Sequence, residues 1–189
     1  GNQGACSRQS RFAVGLIFLT GMPGAGKTTV GAIVARELKY RFVDLDEWIQ
    51  MRAGRSIPQI FSEDGEPAFR QMESEILADL CQITKGVIAL GAGALEREEN
   101  FTRVMSKGIL VYLRANLRFL VERNRAASSR PLLADAATDD ELLHRLVELR
   151  RRRRYRYLAA PVIVDEFRRQ TSQETAEKVL RALKLHAAH

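Results

Sequence analysis

The chain lacks the features that define several classes of protein. Its 189 residues include only two cysteines, Cys6 and Cys81, which lie far apart in no metal-binding spacing, so neither a disulfide framework nor a zinc site is indicated. No apolar run approaches the roughly eighteen residues that a transmembrane helix needs. The run at 14–19 is also too short for a signal peptide. We therefore expect a cytoplasmic protein that contacts no membrane.

What the chain does contain is the composition of a globular protein. Hydrophobic residues make up 46% and charged residues 28%, values that disfavour long disordered segments. The length fits one domain with a single core. We expect a loose leader or tag remnant at 1–11 and one domain at 12–189, acting as a monomer.

The net charge of +7 raises the question of a nucleic-acid partner, because clustered arginines bind phosphate backbones. Much of the excess, however, lies in the arginine run at 150–154 and in Arg156. An arginine-rich helix face is more often solvated or bound to small anions. We therefore expect no nucleic acid as a partner.

Short apolar runs alternate with segments of helical periodicity along the chain. This alternation predicts a three-layer α/β/α fold with a five-stranded parallel sheet and helices on both faces. Ligands of such folds bind beyond the carboxyl ends of the strands. Strands are predicted at 13–19, 42–45, 86–90, 108–113 and 161–164, and helices at 27–38, 46–53, 63–84, 96–105, 116–125, 139–158 and 172–185.

The stretch TGMPGAGKTTVG follows the first predicted strand and opens the first predicted helix. Its residues from Gly21 to Thr28 fit the pattern G-x-x-x-x-G-K-[ST], in which glycines let backbone N–H groups surround a phosphate. Lysine adds a cation, threonine offers a hydroxyl to magnesium, and the helix directs its positive end at the anion. The pattern predicts a nucleoside triphosphate site formed by Gly24, Ala25, Gly26, Lys27, Thr28 and Thr29.

Two carboxylates, Asp44 and Asp46, end the second predicted strand. Their i, i+2 spacing places both on one face at the ligand edge of the sheet. One could hold magnesium through water while the other receives a substrate hydroxyl. Alternatively, Asp46 caps the helix that follows; the two roles are compatible.

The segments FVDLDEWI, IPQIFSEDGEPAFRQME, LGAGA and RPLL, in this order and at this spacing, resemble the shikimate kinase family. The resemblance runs from about 16 to about 165. It implies a P-loop kinase fold with a mobile lid, and transfer of the γ-phosphoryl group of ATP to the 3-hydroxyl of shikimate. That reaction belongs to chorismate and aromatic amino-acid biosynthesis, with ATP and Mg²⁺ as cofactors.

The resemblance also implies roles for individual residues in a substrate region at about 45–75. Asp46 corresponds to the residue that contacts the ring hydroxyls, and Asp44 lies toward magnesium together with Thr28. The family pattern F-R-x-x-E falls on Phe69, Arg70 and Glu73. Arg70 is expected to grip the substrate carboxylate, because a guanidinium pairs with a carboxylate in a bidentate manner. An ordinary surface ion pair between Arg70 and Glu73 is the alternative.

A glycine-rich loop at 91–93 follows the third predicted strand, and its N–H groups are expected to face the substrate. Ala92 departs from the three glycines that the family usually has there. If the site requires a positive φ at this position, the methyl group costs roughly 1–2 kcal/mol. Gly91 and Gly93 match the family.

The remaining matched residues are arginines. Arg130 of RPLL corresponds to the lid arginine that closes over the phosphates, within a lid at about 126–138, and Arg123 to the arginine set against adenine. The family's second carboxylate-binding arginine precedes a tyrosine by four residues. Arg151 and Tyr155 satisfy that spacing, although the arginine run leaves Arg150 and Arg152 as alternative registers.

The resemblance therefore implies the function of a shikimate kinase, with Lys27, Asp46 and Arg130 as the catalytic residues. Two alternatives stay open. One is another P-loop kinase, for gluconate or a nucleoside monophosphate. The other is a non-catalytic ligand sensor that keeps the same fold.

The lid arginine yields a first prediction. Replacing Arg130 by alanine should lower kcat by roughly 10² to 10⁵, in the range observed for arginine fingers, because the transferred phosphoryl group loses a neutralising cation. Steady-state ADP release measures this effect. Wild-type turnover in the Arg130→Ala variant would remove the lid role from this residue.

Overall fold

A five-stranded parallel sheet, in the order β2-β3-β1-β4-β5, organises the protein. The structure is a computed structural model that describes residues 14–126, 133, 135–167 and 170–189. Its strands are β1 Leu16–Thr20, β2 Arg41–Asp44, β3 Gly86–Ala89, β4 Gly108–Ala115 and β5 Val162–Glu166. Its helices are α1 Lys27–Leu38, α2 Leu45–Ala53, α3 Ile57–Glu63, α4 Gly65–Leu80, α5 Glu98–Lys107, α6 Leu117–Arg125, α7 Asp139–Leu158 and α8 Ser172–Ala187, with a 3-10 turn at Ala94–Glu96.

The central strands explain why the fold has layers on both sides of the sheet. Every residue of β1 and β3 is buried, which requires cover on both faces and accounts for continuous apolar runs rather than alternating ones. The core is continuous from these strands into the helices; Phe18 and Leu19 are fully buried within it. The predicted fold class is confirmed.

Strand register brings three loops to one level at the carboxyl edge of the sheet. Leu19 of β1 pairs with Ala89 of β3, and Ala89 in turn pairs with Asp44 of β2. Gly21 and Gly91 each lie two residues beyond this row. The phosphate-loop motif, the aspartate pair and the 91–93 loop therefore start side by side.

The sequence predicted one helix at 63–84 and missed a separate short helix, α3, that ends at Glu63 just before α4 begins. Ser56 caps α3 in a capping box with Gln59, and a proline stands in its first turn. Gly65, with φ of 84°, then begins α4. The capping box and the proline are both sequence signals of a helix start. Helical periodicity alone, however, does not reveal a seven-residue helix.

The described ranges also bear on membranes and cysteines. Within them, no helix is both long and apolar enough to cross a bilayer. Cys81 is buried as a free thiol, and Cys6 lies outside the described residues.

Two glycines that open strands beside β1 allow a matched test of this packing. A Cβ on Gly108 would lie 2.3 Å from the backbone oxygen of Leu16, whereas a Cβ on Gly86 would meet nothing nearer than 3.3 Å, the Arg41 carbonyl oxygen. Since backbone in the central sheet cannot move aside cheaply, Gly108→Ala should lower the free energy of unfolding by about 1–3 kcal/mol. Urea denaturation measures this loss. Gly86→Ala is the control and should lose less; equal losses would contradict the steric account.

Candidate active site

A cleft of about 550 Å³ opens at the carboxyl edge of the sheet and joins the phosphate-loop motif to the aspartate pair and the 91–93 loop. This position is where ligands bind in open parallel sheets. The sequence-predicted residues that line the cleft are Gly24, Gly26, Lys27, Thr28, Thr29, Asp44, Asp46, Phe69, Arg70, Glu73, Gly91, Ala92, Gly93 and Arg123.

The loop after β1 has the backbone of an anion-binding site. Gly24 and Gly26 adopt φ of 85° and 81°, a left-handed conformation that side chains disfavour. Gly26 is the N-cap of α1 and supplies no side-chain acceptor to the first turn, so the N-terminal N–H groups of this helix stay available for an anion. Ala25 is buried beneath the loop and donates its N–H to the Met22 carbonyl oxygen, at 3.0 Å.

Lysine and threonine of the motif occupy the two sides of this loop. The Lys27 Nζ donates to the carbonyl oxygens of Gly21, at 2.9 Å, and Met22, at 3.1 Å, which holds its charge over the loop. The Thr28 hydroxyl donates to the Asp44 carboxylate. Two oxygen-bearing side chains, one from the first turn of α1 and one from the end of β2, therefore meet at the edge of the phosphate loop.

The two aspartates after β2 have different structural positions. Asp44, and not Asp46, is the N-cap of α2 and accepts from the Glu47 N–H at 3.1 Å. The alternative in which Asp46 only caps this helix is therefore wrong. Asp46 lies in the first turn of α2 and faces the cleft, as the functional interpretation requires.

The part of the cleft around Asp46, Arg70 and the 91–93 loop, here called the acceptor half, contains a buried ion pair. The Arg70 Nη1 donates to the Glu73 Oε2 at 2.8 Å, and the side chain of Glu73 is only 1% exposed. The alternative of an ordinary surface pair is excluded by this burial. Burial raises the pKa of Glu73 to about 7; Arg70 opposes that shift and Asp46 adds to it. The second carboxylate oxygen, Oε1, is buried without a hydrogen-bond partner in the described part of the chain.

The 91–93 loop needs its two glycines for space and not for backbone freedom. A Cβ on Gly91 would lie 2.7 Å from the Glu73 Oε1 and 2.9 Å from the Asp46 Oδ1, and one on Gly93 would lie 2.5 Å from the Arg70 Nη2. Within the described ranges, the only residue other than glycine with a positive φ is Lys39. Ala92 is therefore unstrained, and the anticipated penalty does not arise.

The arginine of α7 that lines the cleft is Arg153, not the predicted Arg151. Arg151 has a 79% exposed side chain, pairs with Glu148 at 3.2 Å and does not line the cleft. Arg153 lines it, and its side chain is 2% exposed. Two residues rotate a helix by about 200°, so Arg151 and Arg153 lie on opposite faces. Tyr157, four residues after Arg153, is the buried tyrosine, and Tyr155 is exposed.

A sequence signal for the correct register did exist. The buried residues of α7 follow one another at helical spacing, and Arg153 and Tyr157 extend the stripe that the leucines begin. These residues are Leu142, Leu146, Leu149, Arg153 and Tyr157. Tracking the apolar stripe, rather than the arginine-to-tyrosine spacing alone, would have selected Arg153.

The opposite end of the cleft is formed by the last turn of α6. The Arg123 Nη1 donates to the Gly24 carbonyl oxygen at 2.8 Å, and its guanidinium lies 4.0 Å from the centre of the Phe119 ring. Asn124 donates to the Pro23 carbonyl oxygen at 2.8 Å. This turn is thus tied to the phosphate loop. Ser172, at the start of α8, also lines the cleft and was not predicted.

The predicted lid falls largely where the structure gives no description. Arg130 lies outside the described residues, as does most of RPLL. The base of the segment is described: the Arg125 Nε pairs with Asp139 at 2.5 Å, and its Nη1 donates to the Ala136 carbonyl oxygen at 2.9 Å. Arg125 therefore connects the end of α6 to the start of α7 across the lid.

A phosphate loop at the switch between β1 and α1, beside an acceptor pocket at the same sheet edge, defines a P-loop kinase. The shikimate kinase family model matches residues 23–184. The chain belongs to the shikimate kinase family, and it is an ATP-dependent phosphotransferase with an alcohol group as acceptor.

Individual relatives agree with this assignment. The shikimate kinase of Chlorobium chlorochromatii is 42% identical over 79% of this chain and 81% of its own. The shikimate kinase of Acinetobacter baumannii, solved in complex with shikimate, superposes with a TM-score of 0.87 at 30% identity, over 93% of this chain and 96% of its own. A gluconokinase from Sinorhizobium meliloti reaches a TM-score of 0.56 at 20% identity, over 93% of this chain and 95% of its own, and shares the fold alone.

The buried carboxyl group of Glu73 yields a pH-dependent prediction. The ordinary pKa of a glutamate carboxyl, 4.5, applies to the unfolded chain, and burial raises the pKa of Glu73 in the folded protein to about 7. Between these values the folded state retains a proton that the unfolded state has lost, so the contribution of Glu73 to stability falls as pH rises. The difference in unfolding free energy between wild type and Glu73→Gln should therefore shrink from pH 4.5 to pH 7.

Urea denaturation across that pH range measures the difference. Glu75→Gln is the control, because Glu75 is on the same helix but exposed; an equal slope in this variant would mean that the effect does not arise from Glu73. A pH-independent difference for Glu73→Gln would contradict the raised pKa.

Proposed function

We propose that the protein transfers the γ-phosphoryl group of ATP to the 3-hydroxyl of shikimate, yielding shikimate 3-phosphate and ADP for chorismate and aromatic amino-acid biosynthesis. The observation that carries the proposal is the composition of one continuous cleft. It joins a phosphate-binding loop to a pocket that holds two guanidinium groups, Arg70 and Arg153, and one aspartate, Asp46. That set complements a ring with one carboxylate and several hydroxyls.

The nucleotide half holds and neutralises the triphosphate. The N–H groups of the loop and the N-terminus of α1 receive the phosphate oxygens, and Lys27 exchanges its backbone carbonyl partners for the outer phosphates. Arg123 is proposed to lie against the adenine, since its guanidinium already lies over the Phe119 ring, 4.0 Å from the ring centre. Arg130 is proposed to close over the phosphates from the lid. Phosphoryl transfer needs such positioning and charge neutralisation more than covalent help.

The residues at the loop edge fit a magnesium ion. The Thr28 hydroxyl and the Asp44 carboxylate are in contact, and Mg²⁺ prefers such oxygen ligands, one or two from the protein with the rest from water and phosphates. Within the described residues, no group of three His, Cys, Asp or Glu side chains is placed to hold a metal ion. When bound, the ion neutralises charge on the phosphates.

The acceptor half orients shikimate. Arg70 presents its guanidinium to the substrate carboxylate while Glu73 holds that guanidinium in place. Arg153, proposed here instead of Arg151, is the second carboxylate ligand, because it is buried in the cleft wall with an Nη1 that has no partner among the described residues. Asp46 orients the 3-hydroxyl and accepts its proton. The N–H groups of the 91–93 loop face the reacting groups.

Cellular context completes the proposal. One chain supplies the phosphate loop, the acceptor pocket and the base of the lid, so we propose a monomer. As an ATP-dependent biosynthetic enzyme, it is proposed to act in the cytoplasm.

A coupled assay of ADP release tests the function. Shikimate should support turnover, while gluconate and nucleoside monophosphates should not. Phosphorus NMR of the product should show a phosphate monoester on the 3-oxygen. Binding of ATP without any shikimate-dependent ADP release would instead identify a ligand sensor.

The choice between the two arginines yields a direct prediction. Arg153→Ala should raise the KM for shikimate about 10- to 100-fold, because a hydrogen bond to a charged group contributes about 1.5–3 kcal/mol. Arg151→Ala is the matched control on the exposed face of the same helix, and its KM should stay within about twofold of wild type, since surface ion pairs contribute little. Steady-state kinetics at saturating ATP measure both. The reverse pattern would restore the Arg151 register.

A further inference from the structure

Glu96 occupies a position that the proposed chemistry does not use. It ends the 3-10 turn Ala94–Glu96, directly after the 91–93 loop, and reaches across to α7. Its Oε1 accepts from the Arg152 Nε, and its Oε2 accepts from Arg153, at 3.2 Å from Nη2 and 3.3 Å from Nε. The Glu96 side chain is 24% exposed and that of Arg153 is 2% exposed. Glu96 thus supplies the carboxylate that accompanies a buried guanidinium.

Glu96 contacts only one edge of the Arg153 guanidinium, so the other edge stays available for another partner. Nε and Nη2 form one donor edge of the arginine fork: Nε donates to the Glu96 Oε2, and Nη2 lies 3.2 Å from the same oxygen in the ion pair. Nη1 is left buried with no hydrogen-bond partner in the described part of the protein. A buried donor without an acceptor is costly, so this atom is prepared for an incoming anion. Without Glu96, the same guanidinium could rotate to satisfy Nη1 elsewhere.

A second contact ties the same turn of α7 to the same loop. The Tyr157 hydroxyl donates to the Ala92 carbonyl oxygen at 2.7 Å, and the Tyr157 ring stacks on Tyr112 with ring centres 4.8 Å apart. Glu96 and Tyr157 therefore fasten α7 to both ends of one short segment. This arrangement sets the distance between Arg153 and the loop that faces the substrate.

We infer that Glu96 is a positioning residue for substrate recognition: it clamps Arg153 through Nε and Nη2 so that the guanidinium is held ready for the substrate carboxylate. The inference deepens the proposed function and rests on it. Glu96 acts through Arg153 and touches no reacting atom. Since a buried charge left unpaired is strongly unfavourable, Glu96 also keeps the Arg153 guanidinium inside the cleft wall.

A neighbouring ion pair provides a matched control. Glu98 binds Arg156, so it also joins the chain after the 91–93 loop to α7. The Glu98 side chain, however, is 74% exposed, and neither partner lines the cleft. A general loss of the connection to α7 should affect the Glu98 variant as well, whereas loss of Arg153 positioning should not.

The experiment compares Glu96→Ala with Glu98→Ala in the full chain, using shikimate and its uncharged carboxamide as acceptors. Glu96→Ala should raise the KM for shikimate about tenfold or more and leave the KM for ATP within about twofold. Its kcat/KM for the carboxamide should change little, so the preference for the charged acceptor falls. Glu98→Ala should match wild type on every measure. In the Glu96→Ala/Arg153→Ala double variant, the KM for shikimate should not exceed that of Arg153→Ala alone.

Each alternative outcome has a defined meaning. Equal losses with both acceptors in Glu96→Ala would indicate a merely structural role and overturn the inference, as would a KM for shikimate equal to that of Glu98→Ala. Absence of shikimate phosphorylation by the wild type would instead overturn the proposed function. Should Glu96→Ala fail to fold, Glu96→Gln keeps the shape and one acceptor. It should then give a smaller rise in the KM for shikimate, and an unchanged value would overturn the inference.

Discussion

The parallel pairing of β1 with β3, and of β3 with β2, is the constraint on which the site depends. It sets Leu19, Ala89 and Asp44 in one row, so the segments that follow these strands emerge together. No one of these segments forms the cleft by itself. The phosphate loop supplies one side of it, and Asp46 and the 91–93 loop supply the other. The fully buried strands β1 and β3 lie inside the sheet, and the strand order places chemistry from distant parts of the sequence within one cleft.

The acceptor half of the cleft manages buried charge by pairing each guanidinium with a glutamate. Arg70 has Glu73, and Arg153 has Glu96. Isolated charges would be very costly at this depth, and paired charges are tolerable only with good geometry. Glu96 leaves the Arg153 Nη1 without a hydrogen-bond partner among the described residues. The Arg70 Nη2 lies close to Gly93, 2.5 Å from where a Cβ on that glycine would be. Each of these two guanidinium groups therefore has an internal counter-charge.

The glycines of the two loops are required for different reasons: backbone freedom in the phosphate loop, and space in the 91–93 loop. In the phosphate loop, Gly24 and Gly26 have left-handed backbone conformations, so their freedom is the requirement. In the acceptor loop, Gly91 and Gly93 are needed because Glu73, Asp46 and Arg70 approach too closely for any Cβ. The alanine between them is tolerated because its φ is not positive and its carbonyl oxygen, not its side chain, is held by Tyr157.

Much of the architecture was determined by the sequence alone, because the signals involved are local. Alternating apolar and helical segments indicated the layered fold, α1 was predicted with its correct bounds, and the glycine spacing indicated the phosphate loop. The short helix α3 was missed because seven residues carry too little periodicity. Which arginine of the run enters the cleft was missed because the arginine-to-tyrosine spacing was used in place of the apolar stripe that ends in Arg153 and Tyr157. That Glu96 holds Arg153 was decided only by the tertiary structure, because the two residues are distant in the chain and meet through the packing of α7 against the segment after β3.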